Sequence, residues 1–120
     1  MLKGKTAPIT QQECTNRLAG VTDALYVIGG KWKLPVIIAL NEGHKRFNEL
    51  QRAVKGISAR VLSGELKDME LNGFIKRTVH THSVVIIEYE LTEYSSTLGN
   101  ILNALSEWGT MHKEKIRKER

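Results

Sequence analysis

Residues 56–73 read Gly56-Ile-Ser-Ala-Arg-Val-Leu-Ser-Gly-Glu-Leu-Lys-Asp-Met-Glu-Leu-Asn-Gly73 and predict one helix with both of its ends marked. Ser58 can cap the first turn, because its hydroxyl oxygen accepts hydrogen bonds from the free amides there. Gly73 supplies the left-handed conformation that commonly ends a helix. A buried stripe is predicted at the i, i+4 and i+7 positions, which are Leu62, Leu66 and Met69.

The opposite face of this helix has no large apolar side chain. It carries two cations, a hydroxyl group and a glycine that permits close approach, at Arg60, Lys67, Ser63 and Gly64. Such a face suits a groove lined with phosphates and base edges. A solvated helix face has a similar composition, so only the rest of the chain separates the two interpretations.

The composition bounds the class of protein. A chain of 120 residues with 41% hydrophobic and 26% charged residues is expected to form one globular domain. Its net charge of +5 favours an anionic partner, nucleic acid first and a membrane surface second. No apolar run approaches the roughly 20 residues that span a bilayer, and the N-terminus lacks the apolar core of a signal peptide. The single cysteine, Cys14, fits a reducing compartment, so we expect a cytoplasmic protein without a membrane segment.

Hydrophobic spacing predicts further elements on both sides of residues 56–73. Helices are predicted from about residue 13 to 28, from 31 to 41, and over a short segment that Asn48 caps with Gln51 three residues on. Residues 44–47 suggest a one-rung edge strand. Two strands are predicted at 74–79 and 84–91, with residues 80–83 as the hairpin tip. Thr92 is predicted to cap a long last helix.

The last helix carries an apolar stripe broader than a small domain needs to cover its own side, which indicates a partner chain. The stripe contains Leu98, Ile101, Leu102, Leu105 and Trp108. We expect a flexible arm over residues 1–12, the folded domain over 13–112 and a charged tail over 113–120.

Two short helices in tight succession, the second with basic and small residues outside, form a helix-turn-helix pattern. A β-hairpin directly after it is the wing of a winged helix. The predicted fold is therefore mainly α with a small β-hairpin, a winged helix-turn-helix with additional helices at both ends.

The sequence resembles the HxlR-type transcriptional regulators, a branch of the MarR-like winged-helix proteins. The resemblance rests on motifs in the family's order, namely Ile28-Gly-Gly-Lys-Trp32, Arg46-Phe-Asn-Glu-Leu50, Gly56-Ile-Ser58 with Val61-Leu-Ser63, Leu71-Asn-Gly-Phe-Ile75, Glu88-Tyr-Glu-Leu-Thr-Glu93 and Glu107-Trp-Gly109. It implies a homodimeric repressor or activator that binds a pseudo-palindromic operator in double-stranded DNA. The first and last helices would form the dimer, and the fourth helix would enter the major groove.

The resemblance also implies which residues contact DNA. The groove face would comprise Ser58, Ala59, Arg60, Ser63, Gly64 and Lys67, with Lys45, Arg46 and Asn48 near the phosphates and His80, Thr81 and His82 at the wing tip. Arg77 on the wing is either a phosphate contact or part of an exposed sheet face. Many relatives carry a Pro-Pro-Arg-like run before the second wing strand, and this chain has Val84-Val-Ile-Ile87 there instead.

Some relatives sense oxidants or electrophiles through an N-terminal cysteine. Cys14 is therefore a candidate redox sensor, and the alternative is a small residue at the start of the first helix; its spacing from the Gly-Gly-Lys-Trp motif departs from many relatives. The sequence leaves open whether the protein has a pocket for an unidentified small-molecule effector.

The sequence gives no reason to expect a metal, a cofactor or an enzyme. His80 and His82, with His44, have no accompanying cysteine or carboxylate cluster, and no phosphate loop or nucleophile motif occurs. A winged helix that serves protein–protein contact without specific DNA binding is the competing interpretation.

Overall fold

The computed structural model describes residues 10–120. These residues form α1 (Gln11–Ile28), α2 (Lys33–Asn41), α3 (Phe47–Ala53), α4 (Ala59–Leu71), β1 (Ile75–Thr81), β2 (Val85–Leu91), a 3₁₀ helix (Glu93–Leu98) and α5 (Gly99–Lys118). They divide into two compact units, one that ends at Gly30 and one from Lys31 to Arg120. The second unit has the element order of a winged helix, and the predicted fold class is confirmed.

The first described unit is helix α1, which begins at Gln11, two residues before the predicted start. Thr10 and Glu13 cap it reciprocally: the Glu13 amide donates to Thr10 Oγ1 at 3.0 Å, and the Thr10 amide donates to Glu13 Oε1 at 2.9 Å. The hydrogen bond from the Thr10 amide holds the pKa of Glu13 below its usual value. The predicted flexible arm falls mainly on residues 1–9, outside the described residues.

Helix α4 forms as its sequence predicts. Ser58 is the N-cap, with the Val61 amide donating to Ser58 Oγ at 3.1 Å. Gly73 follows the helix with φ of 83°, the left-handed region where a glycine avoids strain. The stripe Leu62, Leu66 and Met69 is buried, and it packs in a core to which α2 and α3 contribute Val36 and Leu50.

The beginnings of α2 and α3 differ from the prediction. Helix α2 begins at Lys33, two residues later than expected, with Pro35 in its first turn as predicted. Helix α3 has Arg46 as its N-cap, and Glu49 takes the capping role predicted for Asn48 and Gln51. Glu49 Oε1 accepts hydrogen bonds from the amides of Arg46 at 3.0 Å and Lys45 at 2.9 Å. These two amides hold the pKa of Glu49 below its usual value.

The wing is a two-stranded antiparallel hairpin in which Ile75 pairs with Leu91 and Thr81 pairs with Val85. Its first strand extends to Thr81, beyond the predicted end at residue 79, and its second begins at Val85, one residue later than predicted, so the tip comprises residues 82–84 and not 80–83. Residues 44–47 form no strand, although the Tyr89 amide donates to the Lys45 carbonyl at 2.9 Å. This bond ties the segment before α3 to the wing.

Thr92 joins the end of α4 to the wing and to the last helix. Its hydroxyl contacts the carbonyl oxygens of Gly73 at 2.5 Å and Phe74 at 3.2 Å. Thr92 precedes the 3₁₀ helix, and α5 itself begins at Gly99. Helix α5 continues through Gly109 to Lys118, so most of the segment predicted as a charged tail is helical.

The Glu49 cap gives a prediction about the pH dependence of stability. A carboxyl whose folded-state pKa is lowered stabilises the fold above its ordinary pKa and loses this contribution as the pH falls through the lowered value. Glu49→Gln should therefore reduce the free energy of unfolding at neutral pH, and the difference from wild type should shrink below the ordinary pKa of 4.5. Urea unfolding across this range measures both quantities.

Glu107→Gln is the control, since Glu107 is exposed on α5 and has no hydrogen bond from its side chain among residues 10–120. This control should leave stability nearly unchanged. A constant difference between Glu49→Gln and wild type at every pH would contradict the prediction.

Candidate nucleic-acid interface

The face of α4 opposite the core is exposed throughout. Every predicted groove residue on it lies in solvent, from Ser58 and Ala59 at the start through Arg60, Ser63, Gly64 and Lys67. Arg60, Gly64 and Lys67 follow i, i+4 and i+7 spacing and so share one stripe. Among residues 10–120, neither Arg60 nor Lys67 has a carboxylate within ion-pair distance. The stripe therefore presents two cations that no carboxylate of residues 10–120 neutralises.

Gly64 has no packing reason to be a glycine. A Cβ built at this position meets no atom within 4 Å, and the residue lies inside a helix with no positive φ. Glycine in a helix interior costs roughly 0.5–1 kcal/mol relative to alanine. Gly64 therefore lowers the stability of the helix at the position on its exposed stripe where a partner can approach the backbone most closely.

The segment before α3 presents the predicted phosphate contacts Lys45, Arg46 and Asn48, all exposed. The Glu49 cap and the Tyr89 amide fix the backbone of this segment from two sides. Neither Lys45 nor Arg46 forms a side-chain ion pair among residues 10–120.

The positions and partners of the polar residues of the wing differ from the prediction. Lys76 Nζ lies 3.7 Å from Glu90 Oε1, and His80 Nε2 lies 3.1 Å from Glu88 Oε1. His80 and Thr81 belong to β1, and only His82 lies at the tip. His80, Thr81 and His82 were predicted together at the wing tip, but β1 continues through Thr81, so the first two lie within the strand. Arg77 is exposed on the other face of β1 and pairs across the hairpin with Tyr89.

A pair of contacts beside the groove face was missed by the sequence reasoning. Lys33 Nζ on α2 lies 2.7 Å from Glu65 Oε1 and 3.1 Å from Asp68 Oδ2, both on α4. The Glu65 carboxylate raises the pKa of Lys33; partial burial opposes this effect, and Asp68 adds to it. The available signal was a lysine in the first turn of a helix, where the helix dipole disfavours a cation.

Large apolar side chains are exposed on the two terminal helices. On α1 they are Leu18, Val21, Leu25 and Tyr26, and on α5 they are Ile101, Leu105, Trp108, Met111 and Ile116. Among residues 10–120, no side chain of α5 is fully buried. Cys14, also exposed, lies in the first turns of α1 and forms no disulfide.

A cleft of about 490 Å³ lies between α2, the 3₁₀ helix and α5, and it is lined by uncharged residues that include Asn41, Ser95, Leu102 and Asn103. Over residues 10–120, no three His, Cys, Asp or Glu side chains cluster in a way that could hold a metal ion. Within the same range, no helix has the length and apolar character to cross a bilayer.

These features define a winged helix-turn-helix protein of the transcriptional-regulator class. The HxlR-like helix-turn-helix family matches residues 27–117. The chain belongs to this family, and the resemblance inferred from its motifs is confirmed.

Relatives with this architecture carry regulator names. The chain is 38% identical over 96 residues to the HTH-type transcriptional regulator YtcD of Bacillus subtilis (strain 168), a match that covers 80% of this chain and 76% of YtcD. It is 40% identical over 95 residues to an HTH-type transcriptional regulator of Methanothermobacter thermautotrophicus, which covers 79% of this chain and 72% of the relative.

Solved structures give the same class. The crystal structure of YtcD is similar with a TM-score of 0.73 at 39% identity and covers 78% of this chain and 96% of that one. The redox regulator HypR in its reduced form is similar with a TM-score of 0.75 at 35% identity and covers 82% of this chain and 98% of that one.

Proposed function

We propose that this chain is a homodimeric, sequence-specific DNA-binding transcriptional regulator that places α4 in the major groove. The observation that carries the proposal is the exposed stripe of α4, with Arg60 and Lys67 unpaired among residues 10–120 and no large apolar side chain between them. Membership of a helix-turn-helix regulator family supports DNA as the anionic partner.

The two cations of the stripe have different roles. Arg60 lies in the first turn of α4, the part of a recognition helix that contacts base edges. Its planar guanidinium can donate to both major-groove acceptors of a guanine. Lys67 lies two turns further along and acts as a phosphate contact. Lys45, Arg46 and Asn48 add phosphate contacts from the segment before α3.

On the wing, Arg77 is the proposed backbone contact, together with Thr81 and His82 near the tip. Lys76 and His80 already face Glu90 and Glu88, so they add little positive charge for a phosphate. The wing would therefore lie along the backbone or minor groove through Arg77 instead of through the arginine that many relatives carry before the second strand.

The apolar residues of α1 and α5 are the proposed dimer surface. Leu18, Leu105 and Trp108 are each more than half exposed. Burying them against a second copy would remove this apolar surface from water. A two-fold symmetric dimer presents two copies of α4 to half-sites roughly 34 Å apart on duplex DNA. A pseudo-palindromic operator follows from this symmetry.

A redox effector is a second proposal about regulation. Cys14 is exposed, and the chain is similar to the redox regulator HypR. A single cysteine cannot form an intramolecular disulfide, and we propose that oxidation joins Cys14 of two copies, with two protons and two electrons passing to an oxidant such as a peroxide.

The roles of Arg60 and Lys67 predict different losses on substitution. Arg60→Ala should weaken binding to a selected duplex about 10- to 100-fold while changing binding to random duplex much less, because a bidentate base contact is worth about 1–3 kcal/mol. Lys67→Ala should weaken both duplexes alike and reduce the salt slope by about one. Fluorescence anisotropy titrations at several salt concentrations measure these quantities. Equal losses on both duplexes for Arg60→Ala would count against its base contact.

Gly64→Ala should separate stability from function. The free energy of unfolding should rise by about 0.5–1 kcal/mol, because alanine is the better helix former and the new methyl group meets no other atom. Affinity for the selected duplex should fall, since the methyl group occupies the space where the helix approaches DNA.

Gly20→Ala on α1 is the matched control, as its Cβ also meets nothing within 4 Å. It should give a similar gain in stability with unchanged DNA affinity. Unchanged affinity in both variants would show that α4 does not approach DNA at Gly64.

Leu105→Glu should dissociate the dimer, because a charged side chain would be buried against the second copy. Sedimentation velocity should change from a dimer to a monomer, and affinity for a palindromic duplex should fall by at least about tenfold as the half-sites bind separately. Ser106→Glu adds the same charge at the next position of α5 and should remain dimeric. A wild-type protein that sediments as a monomer would overturn the dimer proposal.

A further inference from the structure

Lys33 connects α2 to the flank of α4 through two carboxylates. Its ammonium group lies 2.7 Å from Glu65 Oε1 and 3.1 Å from Asp68 Oδ2. The Lys33 and Glu65 side chains are largely buried, with exposed fractions of 16% and 22%, and Asp68 is half exposed at 50%. This arrangement differs from the other ion pairs among residues 10–120, whose side chains are all at least one-third exposed.

Local helix preferences do not account for this lysine. It is the first residue of α2, where the positive end of the helix dipole disfavours a cation, and no acidic residue lies in that first turn. A lysine held in one rotamer also loses side-chain conformational entropy. The placement of Lys33 is therefore explained by what it contacts on α4.

Glu65 in turn depends on Lys33. Its Oε1 atom is buried, and no donor with good hydrogen-bond geometry reaches it among residues 10–120. The ammonium group of Lys33 is thus the compensating charge for this oxygen. A buried carboxylate without such compensation would be costly.

The charge of α4 shows why this compensation matters for DNA. The helix Ala59–Leu71 contains two cations, Arg60 and Lys67, and three acids, Glu65, Asp68 and Glu70. Without help from another element, the helix proposed to enter a groove lined by phosphates carries net negative charge. Arg60 and Gly64 also line the same surface depression as Lys33, Glu65 and Asp68, so the acids lie directly beside the groove face.

We propose that Lys33 is a positioning and charge-compensating residue for DNA recognition, which neutralises Glu65 and Asp68 and fixes the flank of α4 next to Arg60. This inference rests on the proposed DNA-binding function. Lys33 acts through α4 and does not itself contact DNA, because its charge is engaged by two carboxylates and its side chain is mostly buried.

The test is a mutant cycle on the full chain, with a fluorescent duplex selected by the wild-type protein from randomised sequence. The variants are Lys33→Met, the pair Glu65→Gln with Asp68→Asn, and all three changes together. Lys33→Met should weaken binding at least about tenfold, because two uncompensated carboxylates then face the phosphates. In the background without the acids, Lys33→Met should change affinity less than about twofold.

Two controls separate this effect from net charge and from folding. Lys31→Met removes a cation two residues away, whose ammonium group lies 4.9 Å from the Trp32 ring centre, and it should change affinity only slightly. Lys33→Arg keeps the charge and should retain most of the affinity. Thermal melting identifies a temperature at which each variant is folded, and binding is measured at that temperature. If Lys33→Met does not fold, Lys33→Arg is compared with the triple variant instead. Both of these variants should bind DNA near the wild-type level.

The outcomes discriminate among the roles of Lys33. An equal loss from Lys33→Met with and without the two acids would mean that Lys33 contacts DNA itself, which overturns the proposal. A lowered melting temperature with unchanged affinity of the folded protein would show a merely structural ion pair and would also overturn it. If the wild-type protein binds no duplex, the proposed function fails before any variant is compared, and the role of Lys33 fails with it.

Discussion

Burial of one stripe of α4 is the constraint on which the rest of the structure depends. Leu62, Leu66 and Met69 each lose nearly all contact with water, and α2 and α3 contribute further residues to the buried core. Deleting a side chain of this kind from a core typically costs about 2–5 kcal/mol, which is a large part of a small domain's stability. Because a helix has two sides, this burial also fixes the direction of the opposite face. Arg60, Gly64 and Lys67 are therefore exposed as a consequence of core packing.

The two ends of α4 fix the position of this helix relative to the segments that precede and follow it. Ser58 satisfies the first turn, and the positive φ of Gly73 turns the chain directly into the wing. Thr92 then closes the wing back onto the turn through the Gly73 and Phe74 carbonyl oxygens. The hydrogen bonds of Thr92 therefore hold the wing against the end of α4. Lys33 adds a contact from α2 that fixes the flank of the same helix.

The sequence was informative where local chemistry decides the structure. Both ends of α4, its buried stripe and the order of helices and hairpin follow from caps, glycine and periodicity, and the structure confirms them. The predicted position of the hairpin tip was wrong because cross-strand pairing with β2 extends β1 to Thr81, beyond the residues with clear β preference. The predicted cap of α3 was wrong because Glu49 accepts hydrogen bonds from two backbone amides, which takes the capping role expected of Asn48. The Lys33 contacts join residues more than 30 positions apart, so the lysine in the first turn of α2 was a local signal that could not identify its partners on α4. The DNA-contacting roles of the exposed residues stay predictions.

In the proposed regulator, two copies of α4 enter successive major grooves of one duplex. Protection of guanine N7 from dimethyl sulfate tests it most directly, because this atom lies in the major groove. With a selected duplex bound by the wild-type protein, we expect two protected segments on one face of the DNA, with centres about 10 base pairs apart. A bound duplex with a single protected segment, or with no protected guanine N7, would contradict the claim.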